Sequence, residues 1–152
     1  METLTKILVI HGPNLHLLGK REPEIYGNFT LHQIDEELKL RASQKALALE
    51  VFQSNSEGEI VDKLTNTKHD LLIINPAAYT HTSVAIRDAL LGVNKPTIEV
   101  HLSNIYKREE FRKKSLISDV VLGVIAGFGK ESYFLALDAA ITYLKNKTSE
   151  VK

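Results

Sequence analysis

Ile7-Leu-Val-Ile10 is an apolar run of strand length, and the turn-forming stretch His11-Gly-Pro-Asn14 follows it directly. The first stretch predicts a buried strand, and the second predicts a tight turn at its end. The next helix signal comes only at Thr30, although connections in α/β domains usually take roughly 2–6 residues. This long connection contains leucines and turn residues. They favour a lid that covers a site, at about residues 19–27, rather than a disordered insertion.

Four more apolar runs of strand length follow along the chain, separated by amphipathic or polar segments. They are Leu49–Phe52, Leu71–Ile74, Thr97–Val100 and Val120–Ala126. Thr30-Leu-His-Gln33 matches a capping box, and Ser83 is a candidate N-cap for a helix through about Leu91. A helical stripe between Tyr133 and Leu144 predicts a last helix, which we expect to fray into a polar tail at Lys145–Lys152.

The alternation of strands and helices is typical of a parallel sheet that is covered by helices on both faces. Five strands in 152 residues predict a single α/β domain, residues 1–152. The architecture that fits is a flavodoxin-like three-layer sandwich with strand order 2-1-3-4-5. The chain is too short for an eight-stranded (β/α) barrel, which needs roughly 250 residues.

Composition narrows the class of protein. Lys plus Arg and Asp plus Glu number 19 each, so no bulk charge attracts nucleic acid or an acidic membrane surface. The chain has no cysteine, which excludes disulfides, thiolate catalysis and Cys-ligated zinc. The sequence contains neither a signal-peptide pattern nor an apolar run long enough to span a membrane. These features predict a soluble cytoplasmic protein that holds any small anionic substrate by local charges.

Side chains that can do chemistry follow the predicted strands. Ligands of open α/β sheets bind beyond the carboxyl ends of the strands, so we expect these side chains to converge there. They are His11, Asn14, Arg21 and Tyr26 after the first strand, Asn75 and His81 after the third, and Glu99, His101, Ser103, Arg108 and Arg112 in or after the fourth. Gly127-Phe-Gly129 follows the fifth strand, but a lone G-x-G is weak evidence for phosphate binding.

Each of these residues also has an ordinary structural explanation. A single histidine beyond a strand is more often a hydrogen-bonded structural residue than a catalyst. Arg112 lies in a charged stretch that fits a solvated helix face, and Asp88 fits a surface charge on the third helix. Neither H-x-x-x-H nor H-E-x-x-H spacing is present, so the sequence predicts no metal site.

Five stretches together resemble type II 3-dehydroquinate dehydratase, from about residue 6 to residue 145. They are Ile10-His-Gly-Pro-Asn-Leu-His-Leu-Leu-Gly-Lys-Arg-Glu-Pro-Glu-Ile-Tyr-Gly27, Phe52-Gln-Ser-Asn-Ser-Glu-Gly-Glu59, Ile74-Asn-Pro-Ala-Ala-Tyr-Thr-His-Thr-Ser83, Ile86-Arg-Asp88 and Ile98-Glu-Val-His-Leu-Ser-Asn104. Several long motifs in the same order are far more specific than any one of them.

The resemblance implies an enzyme of the shikimate pathway of aromatic amino-acid biosynthesis, which removes water from 3-dehydroquinate to give 3-dehydroshikimate. It implies Tyr26 as the base that abstracts a C2 proton and Arg21 as the cation that favours tyrosinate. Asn14 would help to stabilise the enolate. His101 would protonate the leaving hydroxyl, and Glu99 would orient His101. No cofactor is implied.

The resemblance further implies substrate contacts and an assembly. The residues at substrate-binding positions are Asn75, His81, Asp88, Leu102, Ser103 and Arg112. Members of the family are usually dodecamers built from four trimers, in which Asp88 would reach the site of a neighbouring subunit.

Three positions depart from the family pattern. His11 stands where Asn is more common, Ala77 where many members have Gly, and Ser56 where many have His. Two other functions stay open: a flavodoxin-like protein that binds FMN or a phosphorylated metabolite, and a catalytically inactive relative. The first loop lacks a hydroxyl- and glycine-rich phosphate cradle, which disfavours the former. Every matched catalytic position carries the family residue, which disfavours the latter.

Overall fold

The structure is a computed structural model that describes residues 3–20, 22, 24 and 28–151, with side chains through residue 148. In this part of the chain, five parallel strands form one sheet. They are β1 (Lys6–His11), β2 (Ala48–Gln53), β3 (Leu71–Asn75), β4 (Thr97–His101) and β5 (Gly123–Ala126). Their order is β2-β1-β3-β4-β5, which confirms the predicted fold class and topology.

Helices cover both faces of the sheet. They are α1 (Leu31–Gln44), α2 (Glu57–Asn66), α3 (Val84–Val93) and α4 (Glu131–Val151). Successive side chains of a strand point to opposite faces, so Ile7 and Val9 pack with α1 and α4, whereas Leu8 and Ile10 pack with α2 and α3. All four side chains are fully buried. The continuous apolar run of β1 is therefore the signature of a strand that is covered on both sides.

Both predicted helix caps are confirmed. Thr30 Oγ1 accepts a hydrogen bond from the Gln33 backbone N–H at 3.2 Å, and Gln33 Oε1 accepts one from the Thr30 backbone N–H at 2.9 Å. Ser83 Oγ accepts from the backbone N–H of Ile86 at 2.9 Å. These bonds satisfy N–H groups that have no partner inside the first turn of a helix, and they fix where α1 and α3 begin.

Two predicted boundaries are wrong. The fifth strand begins at Gly123 and not at Val120, because a 3-10 turn at Ser118–Val120 takes the backbone out of the sheet. The Ser118 hydroxyl donates to Glu99 Oε1 at 2.6 Å, which holds this turn against β4. The last helix does not end near Leu144 but continues through Val151. The polar composition of this end removes it from the core without breaking its helix.

A close approach between two strand ends shapes the loop after β1. The Gly12 N–H donates to the Asn75 carbonyl at 2.7 Å. A Cβ atom on Gly12 would lie 2.4 Å from the carbonyl oxygen of Pro76 and 2.5 Å from its carbonyl carbon. Real Cβ atoms do not tolerate such distances to backbone, so this position requires glycine.

We therefore expect Gly12→Ala to lower the free energy of unfolding by about 1–3 kcal/mol, as overpacking of a tight site does. Gly92→Ala on α3 is the matched control, because a Cβ there meets nothing within 4 Å. Since alanine is the better helix former, the control should be neutral or stabilising by up to about 1 kcal/mol. Urea unfolding of the two variants measures the difference, and equal stabilities would contradict the close approach.

Candidate active site

A cavity that is open to solvent lies beyond the carboxyl ends of β1, β3 and β4. Seven of the predicted site residues line it: Asn14, Asn75, His81, His101, Leu102, Ser103 and Arg112. Asp88 does not line this cavity and is exposed on α3. Arg21 and Tyr26 lie outside the described residues, as does most of the predicted lid from residue 21 onward. The carboxyl edge of the sheet thus brings together groups from three separate loops, as expected for ligand sites in open α/β sheets.

A buried carboxylate stands behind His101. His101 Nε2 lies 2.5 Å from Glu99 Oε2, since both side chains project from the same face of β4. Ser115 Oγ donates to Glu99 Oε2 at 3.0 Å, and Ser118 Oγ donates to Oε1 at 2.6 Å. Burial by itself raises the pKa of Glu99, but the hydrogen bonds from His101 and the two serines outweigh it and hold the pKa below its usual range.

The charge state of Glu99 determines the chemistry of His101. An ionised carboxylate only accepts hydrogen bonds, so His101 Nε2 carries a hydrogen and Nδ1 is left for a molecule bound in the cavity. The pair therefore fixes the ring so that Nδ1 of His101 can exchange a proton with a bound oxygen.

His81 is suited to accept a hydrogen bond, unlike the proposed proton donor His101. Its Nδ1 donates to the Lys114 carbonyl at 2.8 Å, which leaves Nε2 as a hydrogen-bond acceptor when the ring is neutral. Burial lowers the pKa of His81, and the nearby charges of His101 and Arg112 lower it further. This histidine is thus suited to accept a hydrogen bond from a hydroxyl group rather than to carry charge.

The turn after β1 holds Asn14 in place. Asn14 has a left-handed backbone, with φ of 70°, and its N–H donates to Asn55 Oδ1 at 2.9 Å. Gln53 Nε2 donates to the same oxygen and to the Gly12 carbonyl, both at 3.1 Å. Tyr79 fixes the other side of Asn55, because its hydroxyl donates to the Asn55 carbonyl at 2.7 Å. The end of β2 therefore supports the end of β1.

Two guanidinium groups line the cavity. Arg112 is paired with Glu109, from Nε to Oε2, at 2.9 Å, and its side chain is 22% exposed. Arg108, which was expected at this edge of the sheet but given no role, also lines the cavity and is 14% exposed. Half-buried guanidiniums are strong partners for a carboxylate because they present several N–H donors and stay charged.

One predicted convergence is wrong. His11 lies at the carboxyl end of β1 but does not line the cavity. It shares a face of the strand with Ile7 and Val9, so it points toward α1 and α4, where it is fully buried. There Nε2 is 2.7 Å from Asp35 Oδ1, and Nδ1 is 2.7 Å from the Tyr133 hydroxyl.

The family model described as "Dehydroquinase class II" matches residues 5–141. The chain belongs to this family. The match includes every described residue that lines the cavity.

Two curated relatives of this chain share one name. The chain is 60% identical over 141 residues to "3-dehydroquinate dehydratase" of Francisella philomiragia, an alignment that covers 93% of this chain and 97% of the relative. It is 55% identical to the protein of the same name in Francisella tularensis subsp. novicida, with the same coverage.

Solved structures agree with the fold. The crystal structure of type II dehydroquinase from Butyrivibrio crossotus superposes with a TM-score of 0.87 at 44% identity and covers 91% of this chain and 98% of that one. The type II dehydroquinase from Propionibacterium acnes has a TM-score of 0.87 at 42% identity, with 93% and 99% covered. The protein is thus an enzyme of the hydro-lyase class.

The sequence analysis missed several residues that hold the site residues in place by hydrogen bonds. Ser115 and Ser118 hold Glu99, and Asn55 holds Asn14. Asn55 lies in a stretch that was recognised as a family motif, which was the available signal. The two serines have no local pattern, because their role depends on how the chain returns to β4.

No three side chains of His, Asp or Glu in the described ranges are grouped as metal ligands would be. Among the helices of residues 28–151, none has the length and apolar character needed to cross a membrane.

Proposed function

We propose that this protein removes water from 3-dehydroquinate to give 3-dehydroshikimate, through abstraction of a C2 proton, an enolate and acid-assisted loss of the hydroxyl. The observation that carries the proposal is the His101–Glu99 pair, which opens onto the same cavity as two arginines and two asparagines. The names of the relatives support it. Family membership does not favour the alternative of a flavin or phosphometabolite carrier.

The acid in this scheme is His101. Loss of hydroxide from a β-hydroxy ketone needs a proton donor at the departing oxygen, and general acids of this kind contribute about 10²–10⁴-fold to rate. Glu99 fixes the orientation of the ring by accepting a hydrogen bond from Nε2. Ser115 and Ser118 keep that carboxylate ionised and immobile.

The base in this scheme is Tyr26, with Arg21 as its cationic partner. The family resemblance supports both roles, and both residues lie outside the described part of the chain. A free tyrosine has a pKa of about 10, so a nearby guanidinium has to favour the tyrosinate for it to act at neutral pH. The predicted lid at about residues 19–27 would bring the two together and exclude water from them.

The remaining cavity residues would bind and polarise the substrate. Asn14 would stabilise the enolate through an ordered water, and donors aimed at developing charge are often the largest catalytic contribution. Arg112 would hold the carboxylate. The groups assigned to the substrate's hydroxyls and carboxylate are Asn75, His81, Leu102 and Ser103.

The assembly implied by the family is part of the proposal. A dodecamer of four trimers would place the exposed Asp88 of one chain near the site of its neighbour. Light scattering of the purified protein is expected to give a mass twelve times that of the 17.0 kDa chain. A monomeric mass would contradict the assembly and leave Asp88 as a surface charge.

The dehydration is tested directly by mixing the purified protein with 3-dehydroquinate and following the ultraviolet absorbance of the conjugated enone carboxylate. We expect the absorbance to rise in proportion to protein concentration. No rise, with an authentic dehydratase active in parallel, would contradict the proposed function. A yellow preparation that releases stoichiometric flavin on denaturation would instead support the carrier.

A further inference from the structure

A chain of buried hydrogen bonds leads from the cavity wall to α1. Asn75 Nδ2 donates to the Tyr133 hydroxyl oxygen at 3.1 Å, and that hydroxyl lies 2.7 Å from His11 Nδ1. His11 Nε2 lies 2.7 Å from Asp35 Oδ1. Tyr133 and His11 are fully buried, and Asn75 is 3% exposed. The mechanism above uses only Asn75 from this set.

The donor and the acceptor in each hydrogen bond follow from Asp35, the last residue of the series. A carboxylate at Asp35 only accepts, so His11 Nε2 carries a hydrogen, and in the neutral ring Nδ1 is the acceptor. The Tyr133 hydroxyl therefore donates to His11. Burial raises the pKa of Tyr133, so its hydroxyl keeps its proton. Its oxygen is then left as an acceptor, and Asn75 has to present its NH₂ group to it.

The oxygen of the Asn75 side-chain amide is also held by a hydrogen bond. Asn75 Oδ1 accepts from the Ala77 backbone N–H at 3.1 Å, in an Asx-type turn where Ala77 has a φ of 54°. Turning the amide over would set Oδ1 against the Tyr133 oxygen and NH₂ against the Ala77 N–H. Both contacts would be repulsive, because the Tyr133 hydrogen already points to His11 and the Ala77 N–H is itself a donor. The second hydrogen on Nδ2 is thus left for the cavity.

We propose that Tyr133 is a positioning residue for Asn75, and that His11 positions Tyr133 by accepting its hydroxyl hydrogen. The network presents one Asn75 N–H to an acceptor oxygen of the bound substrate. Neither Tyr133 nor His11 touches the substrate. The proposal rests on the proposed function insofar as Asn75 contacts the substrate there.

Three substitutions separate this role from simple core packing. Tyr133→Phe removes the acceptor of Asn75 with little change in shape. His11→Gln keeps an amide near the position of Nε2 for Asp35 but leaves the Tyr133 hydroxyl without its acceptor. His11→Asn keeps a group near the position of Nδ1 and loses Asp35 instead. Tyr143→Phe, on the same helix and away from the cavity, is the matched control.

We expect Tyr133→Phe and His11→Gln to raise KM for 3-dehydroquinate about three- to tenfold, the effect of one ordered hydrogen bond, with kcat within about twofold. His11→Asn and Tyr143→Phe should keep KM near the wild-type value. A purely structural role would lower the melting temperature of all three network variants and leave KM unchanged in each. That outcome would overturn the proposal.

A second readout does not depend on activity. The Asn75 side-chain amide signals, assigned by their loss in Asn75→Asp, are expected to be sharp and protected in wild-type protein and to shift or broaden in Tyr133→Phe. Unchanged signals would overturn the proposal even if the enzyme were inactive, and inactivity of wild-type protein alone would refute only the proposed function. If Tyr133→Phe does not fold, the same signals in His11→Gln decide.

Discussion

His101→Ala is expected to lower kcat for dehydration by about 10²–10⁴-fold, because it removes the proposed proton donor from the leaving hydroxyl. The fold should be retained, since His101 lies at the end of β4 and lines the cavity. KM is expected to change much less than kcat, because the acid acts mainly when the carbon–oxygen bond breaks. Steady-state kinetics by ultraviolet absorbance measure both constants.

Two further variants locate the cause of that loss. Glu99→Gln should give an intermediate loss of kcat, since a neutral amide replaces the carboxylate that accepts the hydrogen bond from His101 Nε2. His32→Ala, an exposed histidine on α1, is the matched control and should leave kcat unchanged. A His101→Ala enzyme with near wild-type kcat would show that another group is the acid.

Tyr26→Phe is expected to abolish most turnover, again by about 10²–10⁴-fold, because the phenyl ring cannot accept the C2 proton. The substrate's carboxylate and hydroxyls are assigned to other groups, so a substrate or product analogue should still bind. Calorimetric titration of the variant with 3-dehydroshikimate, beside its kinetics, separates binding from chemistry.

A matched tyrosine tests whether this loss is specific. Tyr106→Phe alters an exposed tyrosine after β4, 60% accessible, and should keep full activity. If Tyr26→Phe turned over as fast as Tyr106→Phe, the base would have to be sought elsewhere in the cavity.

Much of the fold was predictable because its signals are local. The apolar run at residues 7–10 and the caps at Thr30 and Ser83 depend only on neighbouring residues, and all agree with the structure. The start of β5 was not predictable in this way. Ser118 forms a hydrogen bond with Glu99, which lies 19 residues away in sequence. This bond holds the beginning of the apolar run in a turn, so that the strand starts later.

The same distinction holds for the site. Asn75 and His101 were predictable because each directly ends a strand. His11 was wrongly expected at the site, although strand alternation gives it the parity of Ile7 and Val9 and so turns it toward the helices. Tyr133 looked like one more member of an apolar helical stripe. A buried tyrosine hydroxyl usually needs a partner, which was the signal for its bond to Asn75.

The division between a base at Tyr26 and an acid at His101 is tested most directly by proton NMR of 3-dehydroquinate in D₂O. Wild-type protein should convert the substrate to the olefinic product. His101→Ala should form little product but exchange a C2 hydrogen for deuterium faster than the protein-free control, because the enolate still forms. Tyr26→Phe should do neither. Exchange by Tyr26→Phe as fast as by His101→Ala, or an unchanged substrate with wild-type protein, would contradict the account.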